Sequence, residues 1–316
     1  MALGDGLPLA GGRLRFARVE ISARGERARI VDAEQVDTDV LARLVAPRAA
    51  IAGLPSGRTA VMGILNVTPD SFSDGGRHAA PEVAIAAARA MVAAGADIID
   101  IGAESTRPRA ALVDLATERA RLGAVLPGLS GLNWSIDTRK AAVMADAIDA
   151  GAALVNDVSA LAHDPDALAL VAARGCPVVL MHAQGEPATM QEAPRYADAL
   201  LDVYDWLAAR IDACVAAGIA RHRIIADPGI GFGKDVSHNL ALLRGLTLFH
   251  GLGVPLLLGA SRKQLIARLA GNVPPDDRLP GSLALALHAA ACGVQVVRVH
   301  DVAETVQALA VARAIQ

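Results

Sequence analysis

Cysteine is scarce in this chain: there are three, Cys176, Cys214 and Cys292, far apart and without a CxxC or a histidine at metal-ligand spacing. That excludes a disulfide framework and points to a reducing compartment in which the thiols mostly pack. Aromatic residues make up only 3%, so stacking platforms for single-stranded nucleic acid are poorly supplied. Neither sign of charge dominates. The net charge is −3 with the basic residues scattered, which argues against a nucleic-acid partner and leaves room only for a small, pocketed anion. No apolar run reaches membrane-spanning length; the longest, Ser282 to Val297, carries His288 and Gln295. The opening MALGDGLPLAGGRLRF lacks the cationic and apolar regions of a secretion signal. A soluble, cytoplasmic protein with no membrane partner is expected.

What is present is apolar and rich in alanine: 53% of 316 residues are hydrophobic, enough for a large core beneath close-packed helices. The most informative stretch is Thr59 to Arg77, TAVMGILNVTPDSFSDGGR. Val61 to Val67 is an apolar run without alternation, as in a parallel strand covered on both faces. It breaks at once into Asn66, Thr68, Pro69, Asp70, Ser71 and Gly75. A rigid strand that ends in a polar loop is how an α/β protein presents chemistry, although one such loop is also an ordinary βα turn.

Residues 1–55 differ from the rest. Leu14, Phe16, Val19 and Ile21 interleave with arginine and glutamate as a strand would, Ala28–Val31 reads as its hairpin partner, and Asp37–Val45 as a short helix capped by Asp37 or Thr38. We read this as an N-terminal extension over one end of a main domain spanning 56–316. There, strand-like runs occur at Val61–Leu65, Ile98–Ile101, Trp134–Ile136, Leu154–Val155, Val178–Met181, Ile224–Ala226, Pro255–Leu258 and Val294–Val299. Helical stretches lie between them at Pro81–Ala94, Lys140–Ala150, Pro165–Arg174, Arg195–Ala217, Val236–Phe249 and Ser282–Cys292, with glycine stops at Gly95, Gly151, Gly175, Gly218 and Gly293. Eight βα units in about 250 residues predict an α/β fold of the (β/α)8 TIM-barrel type. A doubly wound open sheet is the alternative, but its GxGxxG first turn is absent.

In a barrel the strand tips converge on one mouth. Every predicted tip carries polar groups, among them Asn66, Asp100, Asp137, Asn156, His182, Asp227, Lys263, Arg298 and His300. Asp137, Asn156, Asp227 and Lys263 combine two carboxylates, an amide and an ammonium, which suits a flat nitrogen-rich heterocycle. The bland reading is a structural salt bridge between Asp227 and Lys263. Arg298 and His300 lie two apart on the last strand, so they point the same way. With Asn66 on the neighbouring first strand they make an anion corner, which a diphosphate with Mg2+ would fit. His182 and His288 stand alone and suit supporting roles. Lys263 could form a Schiff base, but no nucleophile is required. Positioning and stabilisation of a departing anion is the chemistry these residues suggest.

Eight motifs in order, GILNVTPDSFSDGG, GAESTRP, SIDTRK, LVNDVSA, LMHAQGEPATMQ, ADPGIGFGK, LLLGASRK and RVHDVAET, resemble the dihydropteroate synthase family over about residues 59–316. The resemblance implies condensation of 6-hydroxymethyl-7,8-dihydropterin diphosphate with 4-aminobenzoate, by Mg2+-assisted, SN1-like loss of diphosphate. It implies that Asn66 holds Mg2+ and diphosphate, that Arg298 and His300 bind the diphosphate, and that Asp137, Asn156, Asp227 and Lys263 hold the pterin beside Met181. Thr106, Arg107, Pro108, Phe232 and Ser261 would shape the aminobenzoate site, with Gly259 among the substrate-lining residues. A homodimer is also implied, with Ser282–Cys292 and the last helix as apolar surface. The second loop departs from the family: Arg109 and Asp114 stand where glycine and serine are usual, only Glu118 remains clearly acidic, and Ala103 replaces a glycine. A stiffer loop would alter closure or sulfonamide response. A pterin-dependent methyltransferase barrel and a catalytically silent pterin-binding paralogue remain the alternatives.

Overall fold

The computed structural model describes residues 6–67, 80–104, 112–185, 190 and 192–315. Strand β1 (Leu7–Pro8) pairs antiparallel with β2 (Arg15–Phe16). β3 (Arg18–Ile21) and β4 (Arg29–Asp32) form an antiparallel hairpin with Val19 opposite Val31. Helix α1 (Thr38–Val45) follows, and its cap is Asp37, whose carboxylate accepts from the Asp39 and Val40 amides at 3.0 and 3.2 Å. That satisfies two of the helix's otherwise unpaired donors.

Eight parallel strands then alternate with helices: β5 (Ala60–Asn66), β6 (Ile98–Gly102), β7 (Trp134–Asp137), β8 (Leu154–Asp157), β9 (Val178–Met181), β10 (Ile224–Asp227), β11 (Leu257–Leu258) and β12 (Val296–Val299). They hydrogen-bond in the order β10-β9-β8-β7-β6-β5-β12-β11. A bridge between Ala226 and Leu256 joins the two ends, so the sheet is a (β/α)8 barrel. Its closing edge is short because Pro255 has no amide hydrogen; the residue still accepts from the Ala226 amide at 2.9 Å.

Most helices fall where the alanine-rich stretches predict: α2 (Ala80–Ala93), α4 (Ala141–Asp149), α5 (Ala167–Arg174), α6 (Ala199–Ala216), α7 (Val236–Arg244), α9 (Leu279–Ala291) and α10 (Val302–Ile315). The glycines expected at helix ends all have positive φ, from 58° at Gly175 to 103° at Gly218, where a side chain would be strained. Three details differ from expectation. α3 (Leu115–Gly123) and α8 (Gln264–Leu269) are additional helices. The stretch Val236–Phe249 is broken at Gly245, the C-cap of α7, where a β-carbon would lie 2.3 Å from a methyl of Leu200 on α6, so only glycine fits. Asp114 caps α3: its carboxylate accepts from the Thr117 amide and hydroxyl at 2.8 and 2.9 Å.

Two cores result. The larger lies between strands and helices and holds Trp134, Leu122, Met144 and Phe249. The smaller gathers Met62, Ile98, Leu154, Val179, Ile225, Leu257 and Val296 with Ile51 and Leu54. Side chains from seven strands of a ring meet only in its interior, so this cluster fills the lower barrel. Ile51 and Leu54 close its N-terminal end.

Candidate active site

The lower core fixes what lines the mouth. Side chains on a strand alternate, so the residue two beyond an inward-facing one also faces inward. Two steps above Ile98, Leu154, Val179, Ile225, Leu257 and Val296 come Asp100, Asn156, Met181, Asp227, Gly259 and Arg298. On β7, Ser135 is followed in the same way by Asp137, and on β5 Met62 leads through Ile64 to Asn66. An apolar layer at the bottom therefore gives way to a polar one at the top of a single barrel interior.

Asp100 is the hub of that polar layer. It is fully buried, and its carboxylate accepts from Arg298 Nε at 2.5 Å, Asn156 Nδ2 at 2.8 Å and Ser135 Oγ at 2.6 Å. Arg298 reaches on to Asp137 Oδ2 at 2.7 Å. The other oxygen, Asp137 Oδ1, is buried and has no hydrogen-bond partner among the described residues. Leaving such an acceptor unpaired costs about 1–3 kcal/mol, more when it is charged, so it is poised for a donor from outside the chain. Burial is the main reason that the Asp137 pKa rises to about 7; Arg298 opposes the rise and Asp100 adds to it. Burial also opposes the charge of Arg298, but Asp100 and Asp137 outweigh it and hold its pKa above the usual value.

Across the mouth, Asp227 accepts from the Gly229 amide at 2.8 Å, and burial pushes its pKa up against the pull of Lys263. The direct salt bridge between Asp227 and Lys263, the bland reading of that pair, is absent among the described residues. Lys263 instead donates to the Ile230 carbonyl and lies 4.3 Å above the Phe232 ring. Burial lowers its pKa to about 8. Lys263 is thus a cation held by a carbonyl and a π-face, so Asp227 keeps an oxygen for a ligand.

Gly229, Gly231 and Gly233 shape the loop after β10, with φ of 68°, 83° and 62°. A β-carbon at Gly229 would lie 1.9 Å from the His182 carbonyl oxygen and one at Gly233 2.2 Å from that of Gln184. Only glycine allows so close an approach. Beneath the loop Lys234 is buried, its Nζ 2.9 Å from the Gly229 and Phe232 carbonyls and from His182 Nδ1. Burial, then Lys263, lowers its pKa to about 7; burial, then Lys234, lowers His182 to about 3. His182 is a neutral partner of this support, and His288 bonds the Leu243 carbonyl at 2.7 Å.

The Ser261–Lys263 turn has a different anchor. Arg262 has φ 55°, held because its amide donates to Ser282 Oγ at 2.9 Å, its carbonyl accepts from Arg278 at 2.8 Å, and its guanidinium pairs with Asp301 at 3.0 Å. Ser261 Oγ lies 3.0 Å from His300 Nδ1. Asn66 ends β5 in register with Gly102 and stays half-buried. Its amide oxygen is a hard donor and, among the described residues, no cluster of carboxylates or histidines is built to hold a metal. That donor set fits a Mg2+ ion whose remaining ligands are water and a substrate's phosphate oxygens. Thr106, Arg107, Pro108 and Arg109 lie outside the described residues.

Sequence reasoning did not assign Asp100, Ser135, Lys234 or Arg278 a role. The signal for the first two was available: Ser135 sits on the inward face one step below Asp137, and Asp100 is in register with it on the neighbouring strand. Lys234 and Arg278 are scaffold cations whose carbonyl partners are distant in sequence.

A family model for pterin-binding enzymes matches residues 62–300. The chain belongs to the pterin-binding enzyme family. Within that family it stands with the dihydropteroate synthases, which are transferases. It is 49% identical over 257 residues to dihydropteroate synthase of Escherichia coli, covering 80% of this chain and 90% of that protein. The Yersinia pestis enzyme in a sulfonamide drug complex superposes with a TM-score of 0.77 at 43% identity, covering 94% of this chain and 99% of that one. The Xanthomonas albilineans enzyme with 4-aminobenzoic acid gives 0.77 at 47% identity, covering 82% and 93%. The same enzyme in complex with 7,8-dihydropteroate gives 0.75 at 45%, covering 82% and 94%. No helix of the described residues is long and apolar enough to cross a membrane.

Proposed function

We propose that the protein condenses 6-hydroxymethyl-7,8-dihydropterin diphosphate with 4-aminobenzoate, giving 7,8-dihydropteroate and diphosphate. The observation that carries this reading is the buried, unpaired Asp137 Oδ1 on the inner wall of the mouth, within a lining of groups that match a pterin. Asp137 and Asp227 accept from the donor edge of the ring, and Asn156, its amide nitrogen fixed by Asp100, offers its oxygen. Met181 lines the same inward layer, and at Gly259 the missing side chain leaves room beside Asp227 and Arg298, whose nearest atoms lie 3.7 and 3.8 Å from where a β-carbon would sit. Lys263 lies across the ring's other edge, and with Phe232 and Ser261 it borders the space for the arylamine.

The reaction breaks the bond between the exocyclic methylene and the diphosphate oxygen, whose electron pair departs with the leaving group. We assign Arg298 and the Ser261–His300 pair to the charge of the departing anion. The arylamine nitrogen then forms the C–N bond and its proton passes to solvent or diphosphate. Mg2+ beside Asn66 would supply charge neutralisation for the diphosphate. A cytoplasmic setting is supported by three free cysteines. A homodimer is supported by Val311 and Ile315, exposed large aliphatics on α10.

The test is an assay of purified protein with both substrates and Mg2+, read as dihydropteroate formed. Product that disappears with EDTA and returns with Mg2+ supports the reading. No product above blank would overturn it.

A further inference from the structure

A sizeable cavity in the described chain lies at the opposite end of the barrel from the mouth. It encloses about 440 Å³ between the N-terminal segment, the stretch leading into β5, and helices α9 and α10. Val61 and Val296, near the starts of two neighbouring strands, form part of its wall. Asn66 at the mouth is five residues further along β5, ~16 Å at the rise of a strand, and the lower core intervenes. The two sites are therefore separate.

The lining chemistry is one-sided. Four arginines, Arg13, Arg48, Arg58 and Arg313, line the cavity and no acidic residue does. Arg58 is neutralised by Asp97, with contacts at 2.8 and 2.5 Å. No carboxylate among the described residues pairs with the other three. Arg48 donates only to neutral carbonyls, those of Arg43, Ala46 and His250, and its Nε is buried without a partner. Burial lowers its pKa to about 10, which still leaves it charged at neutral pH. Val306 and Leu309 on α10 supply an apolar wall. A volume of this size lies in the range of small-molecule pockets, and uncompensated cations on an apolar wall select an anion with an apolar body.

We propose that this cavity is a second binding site, for a small organic anion: a carboxylate, sulfonate or phosphate carried on an aromatic or aliphatic body. It takes one molecule per chain, independently of the mouth. The cations select the anionic head, and the wall of α10 holds the body.

The probe is anilinonaphthalenesulfonate, titrated by fluorescence against the folded full chain, with neutral phenylnaphthylamine as its uncharged counterpart. The expected result is saturable binding of one sulfonate probe per chain, with the neutral probe at least about tenfold weaker. Ala310→Trp, at an exposed position of the cavity wall, is expected to fill the space and remove binding while leaving the melting temperature and turnover unchanged. Arg13→Glu with Arg313→Glu, both at the exposed rim, is expected to weaken the sulfonate at least about tenfold and the neutral probe hardly at all. Equal affinity for the two probes, or binding that survives Ala310→Trp, would each overturn the proposal. The binding readouts do not depend on catalysis, so failure of the turnover assay leaves them legible.

Discussion

At the residue scale, the mouth holds two groups whose burial moves them toward neutrality, Asp137 at about 7 and Lys263 at about 8. If the carboxylate must be ionised and the ammonium protonated, kcat/KM rises through a pH near 7 and falls through a pH near 8. A flat profile from pH 6 to 9 would contradict that assignment. Stability runs the other way for Asp137. Its folded pKa lies above the unfolded value, so its stabilising contribution is full below about pH 4 and is lost as pH rises through 7. Asp137→Asn is therefore expected to melt at pH 8 no lower than the parent while kcat/KM drops about 10–100-fold. Asp100 acts through its neighbours, as a positioning residue. Asp100→Asn frees Arg298 and Asn156 from a shared anchor, and pterin KM is expected to rise about tenfold or more with a smaller change in that for 4-aminobenzoate. Equal rises in both would indicate general loosening of the fold.

Elements add supports that no single residue reveals. The loop after β10 approaches the backbone that follows β9 so closely that glycine is compulsory at two positions, whereas a β-carbon at Gly231 would meet only the flexible Lys263 side chain, at 3.2 Å. Gly229→Ala is accordingly expected to lose most soluble protein, and Gly231→Ala to fold but bind pterin less well; comparable behaviour of the two would refute the geometric argument. A second support joins three segments. Fully buried Glu118 on α3 accepts from Thr138 at 2.6 Å and Lys140 at 2.5 Å, and Glu104 binds Lys140 at 2.8 Å and Arg139 at 2.9 Å. Removing one member of such a buried ionic cluster costs about 3–5 kcal/mol. Glu118→Ala is expected to show that loss in urea unfolding, and a loss under about 1 kcal/mol would mean that the cluster is not a unit.

For the whole molecule, the barrel is closed below and open above. Ile51 and Leu54 cap the lower core, so truncation there removes packing far from the chemistry. Leu54→Ala is expected to cost about 2–5 kcal/mol, seen as a melting point several degrees lower with kcat/KM unchanged at 25 °C. A changed kcat/KM would show that the floor and the mouth are coupled. The N-terminal segment is held at other points too. Arg24 pairs with Asp205 on α6 at 2.6 Å, and Arg48 donates to the His250 carbonyl at 2.9 Å. Arg24's pair is solvent-exposed and contributes little, whereas the half-buried Arg48 and the two aliphatic plugs carry the attachment.

The sequence by itself determined the alternation of strands and helices, the polar tip of every strand and the positions of the glycine stops. Those are properties of short windows, fixed by covered apolar runs, left-handed caps and loop composition. It also contained the order of the mouth residues, because a period of two along each strand carries the inward face from Val296 to Arg298 and from Ile225 to Asp227. Only the tertiary structure decided who holds whom. Arg298 lies between Asp100 and Asp137, 198 and 161 residues away in the chain, Lys263 sits on a carbonyl and a ring rather than on Asp227, and α7 stops where Leu200 approaches Gly245. Each of those outcomes depends on two distant segments meeting at a few ångströms, and no local pattern encodes which carboxylate a buried cation will reach first.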